Sequence, residues 1–183
     1  VKRNSRRFLN LYDMNKTLII KGSSRKEGNT QKVVDQLNKD KDFDVIDLLD
    51  YQIGPFHYGF ENHTDDFIPL MEKVTEQYET LIFATPVYWY TMSGTMKIFF
   101  DRFSDLLHYR KDLGRKLRGK SMAMISNSAA NDRRTGYEMP FQESAKYLGM
   151  NYLGDVHAWF DGDKIHAEAI EIIDTFQNKI TSH

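Results

Sequence analysis

The chain predicts an α/β fold, a mostly parallel sheet covered by helices on both faces, and three observations predict it. Short apolar runs alternate with amphipathic helical runs five times along the chain. The connections between them are mostly short, and several strand-like runs are continuously hydrophobic, as strands buried on both faces are.

The first strand is residues 17–21 (TLIIK), which meets Gly22 and so ends in a tight turn. After the polar loop 23–29, residues 30–38 form a helix with Val33, Val34 and Leu37 on one face. Residues 43–48 (FDVIDL) alternate and are more polar, as an edge strand is. A long loop, 49–63, carries Gly54, Pro55 and Gly59 as breakers. Asp65 or Asp66 can cap the next helix, which carries Phe67, Ile68, Leu70, Met71 and Val74, with Pro69 in its first turn.

Residues 80–84 (TLIFA) are the third strand, stopped by Thr85-Pro86. Ser93 or Thr95 is the expected N-cap of a helix reaching Leu107, with Met96, Phe99, Phe100, Phe103 and Leu107 on its stripe. Residues 110–118 read as a charged loop and 121–126 (SMAMIS) as the fourth strand. A polar loop runs from Asn127 to Arg134, a helix over 135–148 stops near Gly149, and 152–159 is the fifth strand. Asp161-Gly162-Asp163 is a turn, and the last helix aligns Ala169, Ile172, Ile173, Phe176 and Ile180.

The 183 residues, 40% of them hydrophobic and 24 aromatic, suit one ordinary domain with a substantial core and exclude a disordered chain. The absence of cysteine excludes disulfides, thiol chemistry and Cys-ligated zinc or iron–sulfur centres. Six histidines without an HExxH pattern do not indicate a metal site. No apolar run approaches the roughly 18 residues of a membrane span, so stable membrane insertion is not expected.

The formal net charge of -1 is unevenly placed. Residues 1–13 carry Lys2, Arg3, Arg6 and Arg7 against Asp13 and read as a flexible basic arm or a leader remnant. The arm could touch an anionic surface. Met14 opens the domain, 14–183, whose 25 acidic side chains outnumber 21 basic ones. That balance argues against nucleic acid as a partner.

In such sheets ligands bind beyond the carboxyl ends of the strands, so the loops after strands one, three and four hold the candidate site. The first reads Gly22-Ser23-Ser24-Arg25-Lys26-Glu27-Gly28-Asn29-Thr30. Its hydroxyls, amide and arginine at a helix start suit a phosphate seat, and equally a polar turn in which Asn29 or Thr30 only caps the helix. GxGxxG and the Walker pattern are both absent, which speaks against a Rossmann dehydrogenase and a P-loop nucleotidase. The second loop, Thr85-Pro86-Val87-Tyr88-Trp89-Tyr90-Thr91-Met92-Ser93-Gly94, has three consecutive aromatics that cannot all face the core. They could line a planar ring system, cover the sheet end or form a subunit interface.

These two stretches, GSSRKEGNT and TPVYWYTMSGTMKIFFDR, resemble the NAD(P)H-dependent FMN reductase and quinone reductase branch of the flavodoxin-like superfamily. The resemblance implies a three-layer sandwich around a five-stranded parallel sheet of order 2-1-3-4-5. It implies an FMN phosphate held by Ser23, Arg25, Asn29 and Thr30. Pro86, Val87, Tyr88 and Trp89 would border the ring or ribityl chain, with Met92 and Ser93 near the same rim. Asn127, Ser128, Ala129 and Ala130 would approach the other side of the ring.

The implied activity is hydride transfer from NADPH or NADH through FMN to a small planar acceptor: a quinone, an azo or nitro compound, or free flavin. Flavin N5 carries that chemistry, so no protein acid or base is named. A cytoplasmic homodimer is implied as well. Lys97, Asp101 and Arg102 fit a solvent or intersubunit salt-bridge face as well as a ligand role.

Two departures bear on the site. The segment Ile53 to Gly59 lacks the cysteines of iron–sulfur relatives, and its His57 and Tyr58 could meet a substrate or only shape a loop. After strand four, Ser128-Ala129-Ala130 replaces the adjacent glycines of many relatives. Arg110, Lys111, Arg115, Arg133 and Arg134 are candidates for attracting the dinucleotide, beside the plainer reading of solvated charges. A flavodoxin-type electron carrier and a weakly catalytic flavin-binding subunit are the alternatives to the enzyme.

Overall fold

A computed structural model describes residues 16–182; the expectation of a basic arm over 1–13 lies outside the described residues. β1 (Thr17–Lys21), β2 (Asp44–Asp47), β3 (Thr80–Pro86), β4 (Ser121–Asn127) and β5 (Asn151–Ala158) form one parallel sheet of order β2-β1-β3-β4-β5. This is the order that the resemblance implied. α1 (Asn29–Leu37) and α7 (Ala167–Thr181) cover one face. α2 (Phe67–Gln77), α3 (Gly94–Asp101), α4 (Phe103–His108), α5 (Lys111–Lys116) and α6 (Met139–Leu148) cover the other.

The strand period of two explains the two cores. Leu18 and Ile20 of β1, Leu81 and Phe83 of β3, and Met122 and Met124 of β4 point to the larger cluster around Phe67, Phe99 and Phe141. Ile19, Ile82, Ala123 and Ile125 point the other way, onto Val33, Val34, Leu37 and Ile173. β2 is the exposed edge expected from its polarity, and a single 3-10 turn, Leu48–Asp50, follows it.

Four boundaries differ from the sequence reading. The helix expected to run to Leu107 breaks at Arg102, where Asp105 N–H bonds back to the Arg102 carbonyl three residues earlier. Beyond the break Leu106 is buried and Leu107 only half-buried. Within the expected loop 110–118, residues 111–116 are α5. One buried side chain, Leu113, anchors that helix, too few for a visible period. Gly114 makes its docking possible: a Cβ there would stand 2.4 Å from the Leu106 carbonyl oxygen. α6 begins at Met139 rather than near Thr135, after non-helical turns. The Asp161-Gly162-Asp163 turn is closed by a short antiparallel pair, β6 (Phe160–Asp161) with β7 (Lys164–Ile165).

Candidate functional site

Three loops meet at the carboxyl ends of β1, β3 and β4, on either side of the central strand. The main chain turns out of β1 at Gly22, whose N–H bonds the Ala84 carbonyl at 2.9 Å. A Cβ at Gly22 would come within 2.8 Å of Met96 Cε and 3.2 Å of Met96 Cα, so α3 approaches the turn too closely for a side chain. Ser93 locks this approach. Its hydroxyl donates to the Gly22 carbonyl at 2.8 Å and accepts from Met96 N–H at 3.1 Å, making it the N-cap of α3.

The loop after β1 leaves its donors free. From Ser23 to Gln31 no main-chain N–H has an acceptor among the described residues; the first ladder bond runs from Lys32 N–H to the Gly28 carbonyl. Gly28, not Asn29 or Thr30, occupies the N-cap position, with φ 155° and ψ -164°, a region essentially restricted to glycine. Arg25 folds over it: a Cβ at Gly28 would sit 2.5 Å from Arg25 Nε. The exposed Arg25 guanidinium has no ion-pair partner among the described residues. Thr30, buried, donates its hydroxyl to Asn127 Oδ1 at 2.9 Å and so ties α1 to the end of β4.

Ser23, Arg25, Asn29, Thr30, Pro86, Val87, Tyr88, Asn127, Ser128 and Ala129 line one cleft of about 170 Å³. The other four expected residues lie elsewhere. Met92 belongs to the core under the loop, and the Ser93 hydroxyl is spent on the α3 cap. Trp89 stands clear, 92% exposed. The Ala130 carbonyl turns back into the protein, accepting from the Ser128 hydroxyl at 2.6 Å. A rim position in sequence is therefore not a rim position in space: Ser93 is drawn inward by the close contact of α3 with β1.

The aromatic loop has a specific backbone. Tyr88 and Thr91 exchange main-chain bonds, at 2.9 and 3.1 Å, across a two-residue turn. Trp89 and Tyr90 take φ of 48° and 66°. Such turns favour Asn-Gly, and positive φ costs bulky residues of order 1–3 kcal/mol each. The turn thus places two rings in solvent at a cost in backbone strain, while Tyr88 Oη and Ser24 Oγ, 2.8 Å apart, bridge it to the loop after β1. Replacing Trp89-Tyr90 by Asn-Gly is expected to raise stability by about 1–3 kcal/mol in thermal unfolding. An unchanged or lowered melting temperature would show that no strain is stored there.

Beneath the cleft lie groups without a sequence signal. His157 on β5 is buried, with Nδ1 2.9 Å from Ser126 Oγ and Nε2 3.1 Å from Ser128 Oγ and 3.3 Å from the Ala130 carbonyl. Burial holds its pKa below the ordinary histidine value. It pins the loop after β4. Tyr137, whose hydroxyl reaches the Pro86 carbonyl at 3.4 Å, has its pKa pushed up by burial and stays neutral. An alternating strand position could have marked His157 as inward-facing, but not its partners.

The expected cations divide. Arg133 is committed inward, paired with Asp155 and stacked on the Tyr137 ring. Arg110 is held by Glu72 and Asp112. Lys111 and Arg115 line a separate depression with Leu106, Leu107, Tyr147 and Leu148 that shares no residue with the cleft. Arg134 is exposed on the loop after β4. Lys97 and Asp101 form an exposed pair at 2.6 Å, whereas Arg102 is 1% exposed and corrects the surface-face expectation. Its guanidinium binds Asp65, Asp105 and the carbonyls of Gly54 and Asn62, clamping the loop after β2. In that loop His57 accepts from Gly59 N–H at 3.1 Å and shapes the turn.

A doubly wound parallel sheet of order 2-1-3-4-5, with a cleft at the carboxyl ends of β1, β3 and β4, defines a flavodoxin-like fold. The family model of NADPH-dependent FMN reductase matches residues 15–164. The chain belongs to that family and is an NAD(P)H-dependent, FMN-using oxidoreductase. It is 31% identical over 151 residues, 77% of this chain and 83% of the relative, to YwqN of Bacillus subtilis (strain 168). That protein's name places it provisionally among NAD(P)H-dependent FMN-containing oxidoreductases.

Among solved structures, the Trp repressor binding protein from Bacillus subtilis is 27% identical with a TM-score of 0.70, covering 88% of this chain and 97% of that one. An FMN-dependent NADH-azoreductase from Bacillus anthracis str. Ames Ancestor, in complex with FMN, shares the fold at 13% identity and a TM-score of 0.63. It covers 92% of this chain and 99% of that one. No helix among the described residues is long and apolar enough to cross a membrane.

Proposed function

We propose that the cleft seats the phosphate of FMN and that the enzyme passes reducing equivalents from NADPH or NADH to a small planar acceptor: a quinone, an azo or nitro compound, or free flavin. One observation carries this reading: Ser23, Arg25 and Asn29, whose main-chain N–H groups and guanidinium have no acceptor among the described residues, line the same cleft as Thr30 and Asn127 at the end of the first strand. These groups fit a dianionic phosphate, which accepts several charge-assisted hydrogen bonds.

At about 170 Å³ the cleft is smaller than the roughly 300–1,000 Å³ of ordinary ligand pockets. It suits the phosphate end, so a planar ring would extend beyond it from the side lined by Pro86, Val87 and Tyr88. FMN supplies the hydride-accepting and hydride-donating chemistry when bound. Ser23, Arg25, Asn29 and Thr30 would hold its phosphate, while Asn127, Ser128 and Ala129, backed by His157, would set the position of the loop facing the ring. Trp89 and Tyr90 would offer exposed faces to a flat acceptor or to a second subunit. Homodimerisation, a single functional domain over 14–183 and residence in the cytoplasm belong to the same reading.

Anaerobic addition of NADPH or NADH to the FMN-loaded chain tests it. Rapid bleaching of the visible flavin absorbance is expected, followed by its return on adding a quinone. Persistence of the absorbance with both donors would oppose turnover, and failure to take up FMN on reconstitution would remove the phosphate seat.

A further inference from the structure

We propose that Lys21 is a positioning residue for the flavin phosphate, a buried ammonium that shapes the loop after β1 from beneath without touching the ligand. The proposal rests on the phosphate seat proposed above and extends it to a residue outside the cleft.

Lys21 is the last residue of β1 and shares with Ile19 the strand face covered by α1 and α7. Only 3% exposed, it lies where a lysine is rarely found unless paired. Its Nζ stands 2.8 Å from Asp47 Oδ2, on the neighbouring edge strand and directly opposite in register. It also donates to the side-chain carbonyl of Gln31 in the first turn of α1, and to the main-chain carbonyl of Lys26 at 2.7 Å. The ammonium thus donates to α1 and to the loop and is held to β2 by charge alone, Asp47 Oδ2 accepting no hydrogen bond among the described residues.

The contact with Lys26 is decisive. Between Ser23 and Glu27 it is the one hydrogen bond made to the loop main chain among the described residues. A five-residue segment with free N–H groups would otherwise sample many conformations, and ordering it on binding would cost roughly 1–2 kcal/mol per residue. Lys21 holds the Lys26 carbonyl while the loop N–H groups keep no acceptor among the described residues, so part of that ordering is complete before the ligand arrives. Lys26 adds an exposed tie from the same loop, its ammonium paired with Asp50 beyond β2. Asp47 neutralises Lys21, so its role is to set loop geometry rather than to attract the phosphate over a distance.

Removing Lys21 alone would leave Asp47 buried and unpaired, which is strongly destabilising for reasons unrelated to the ligand. The test therefore uses the double variant Lys21→Met/Asp47→Asn. Asparagine keeps the Oδ1 that accepts Leu49 N–H at 3.0 Å. Full-chain wild type and variant, freed of flavin, are titrated with FMN and with riboflavin, which has the same ring and no phosphate. Wild type is expected to prefer FMN by at least about tenfold. The variant, with an unchanged circular dichroism spectrum, should bind FMN about tenfold more weakly and riboflavin as before.

Unchanged FMN affinity in the folded variant would overturn the proposal, as would equal weakening of both ligands. A variant that no longer folds would also overturn it, since Lys21 would then hold the sheet together rather than shape the loop. A wild type that does not distinguish FMN from riboflavin would instead refute the phosphate seat itself.

Discussion

Replacing Arg102 by methionine is expected to remove about 3–5 kcal/mol of stability, the range for breaking a buried charge network by deleting one partner. The guanidinium is surrounded by Asp105, itself 2% exposed, by Asp65 and by two loop carbonyls. Methionine fills much of the volume but leaves the buried Asp105 carboxylate, and the partly buried Asp65, without their cation. The Arg102 ion pair, with main-chain N–H donors from Phe67 and Gly54, holds the Asp65 pKa below the ordinary carboxylate value against the upward pull of burial. Removing Arg102 should therefore let Asp65 take up its proton at a higher pH.

Urea denaturation measures the stability loss. Limited proteolysis should show new cleavage between residues 49 and 66, because the clamp joins α4 to that loop. A loss under about 1 kcal/mol would mean that the carboxylates find other partners.

Replacing Arg25 by alanine should weaken FMN binding by about 10- to 100-fold, the equivalent of the roughly 1.5–3 kcal/mol of one hydrogen bond to a charged group. Riboflavin binding and the melting temperature should change little. The second expectation follows from position: Arg25 is exposed, unpaired among the described residues, and lies over Gly28 rather than in the core. A parallel fall in riboflavin affinity would place Arg25 at the ring rather than the phosphate. Unchanged FMN affinity would remove it from the site.

The alternation of strands and helices was legible because the hydrophobic periods of 2 and 3.6 are local properties. The expected β1, β3 and β4 end within two residues of the observed strands, and Ser93, one of the two expected N-caps, caps α3. α5 was missed because a six-residue helix with one buried side chain has no period to detect. In sequence Arg102 fits a solvent or intersubunit face, or a ligand role, but not a buried clamp, for a related reason. It follows directly on the α3 stripe, and nothing local announces that Asp65, 37 residues earlier, will meet it.

The amino-acid sequence by itself determined the α/β class, the expected strand-end loops and the absence of any cysteine-based centre. Composition and local period suffice for these. Tertiary structure decided which residues of those loops share a cleft. Ten of the expected residues line it, while Met92, Ser93, Trp89 and Ala130 do not. The close contact of α3 with Gly22 buries Ser93, a positive-φ turn throws Trp89 outward, and the contacts of the Ala130 carbonyl with Ser128 and His157 turn it inward. Each outcome depends on atoms brought together from distant segments, or on a backbone torsion that the neighbouring packing selects. Neither is encoded in the identity of the residue alone.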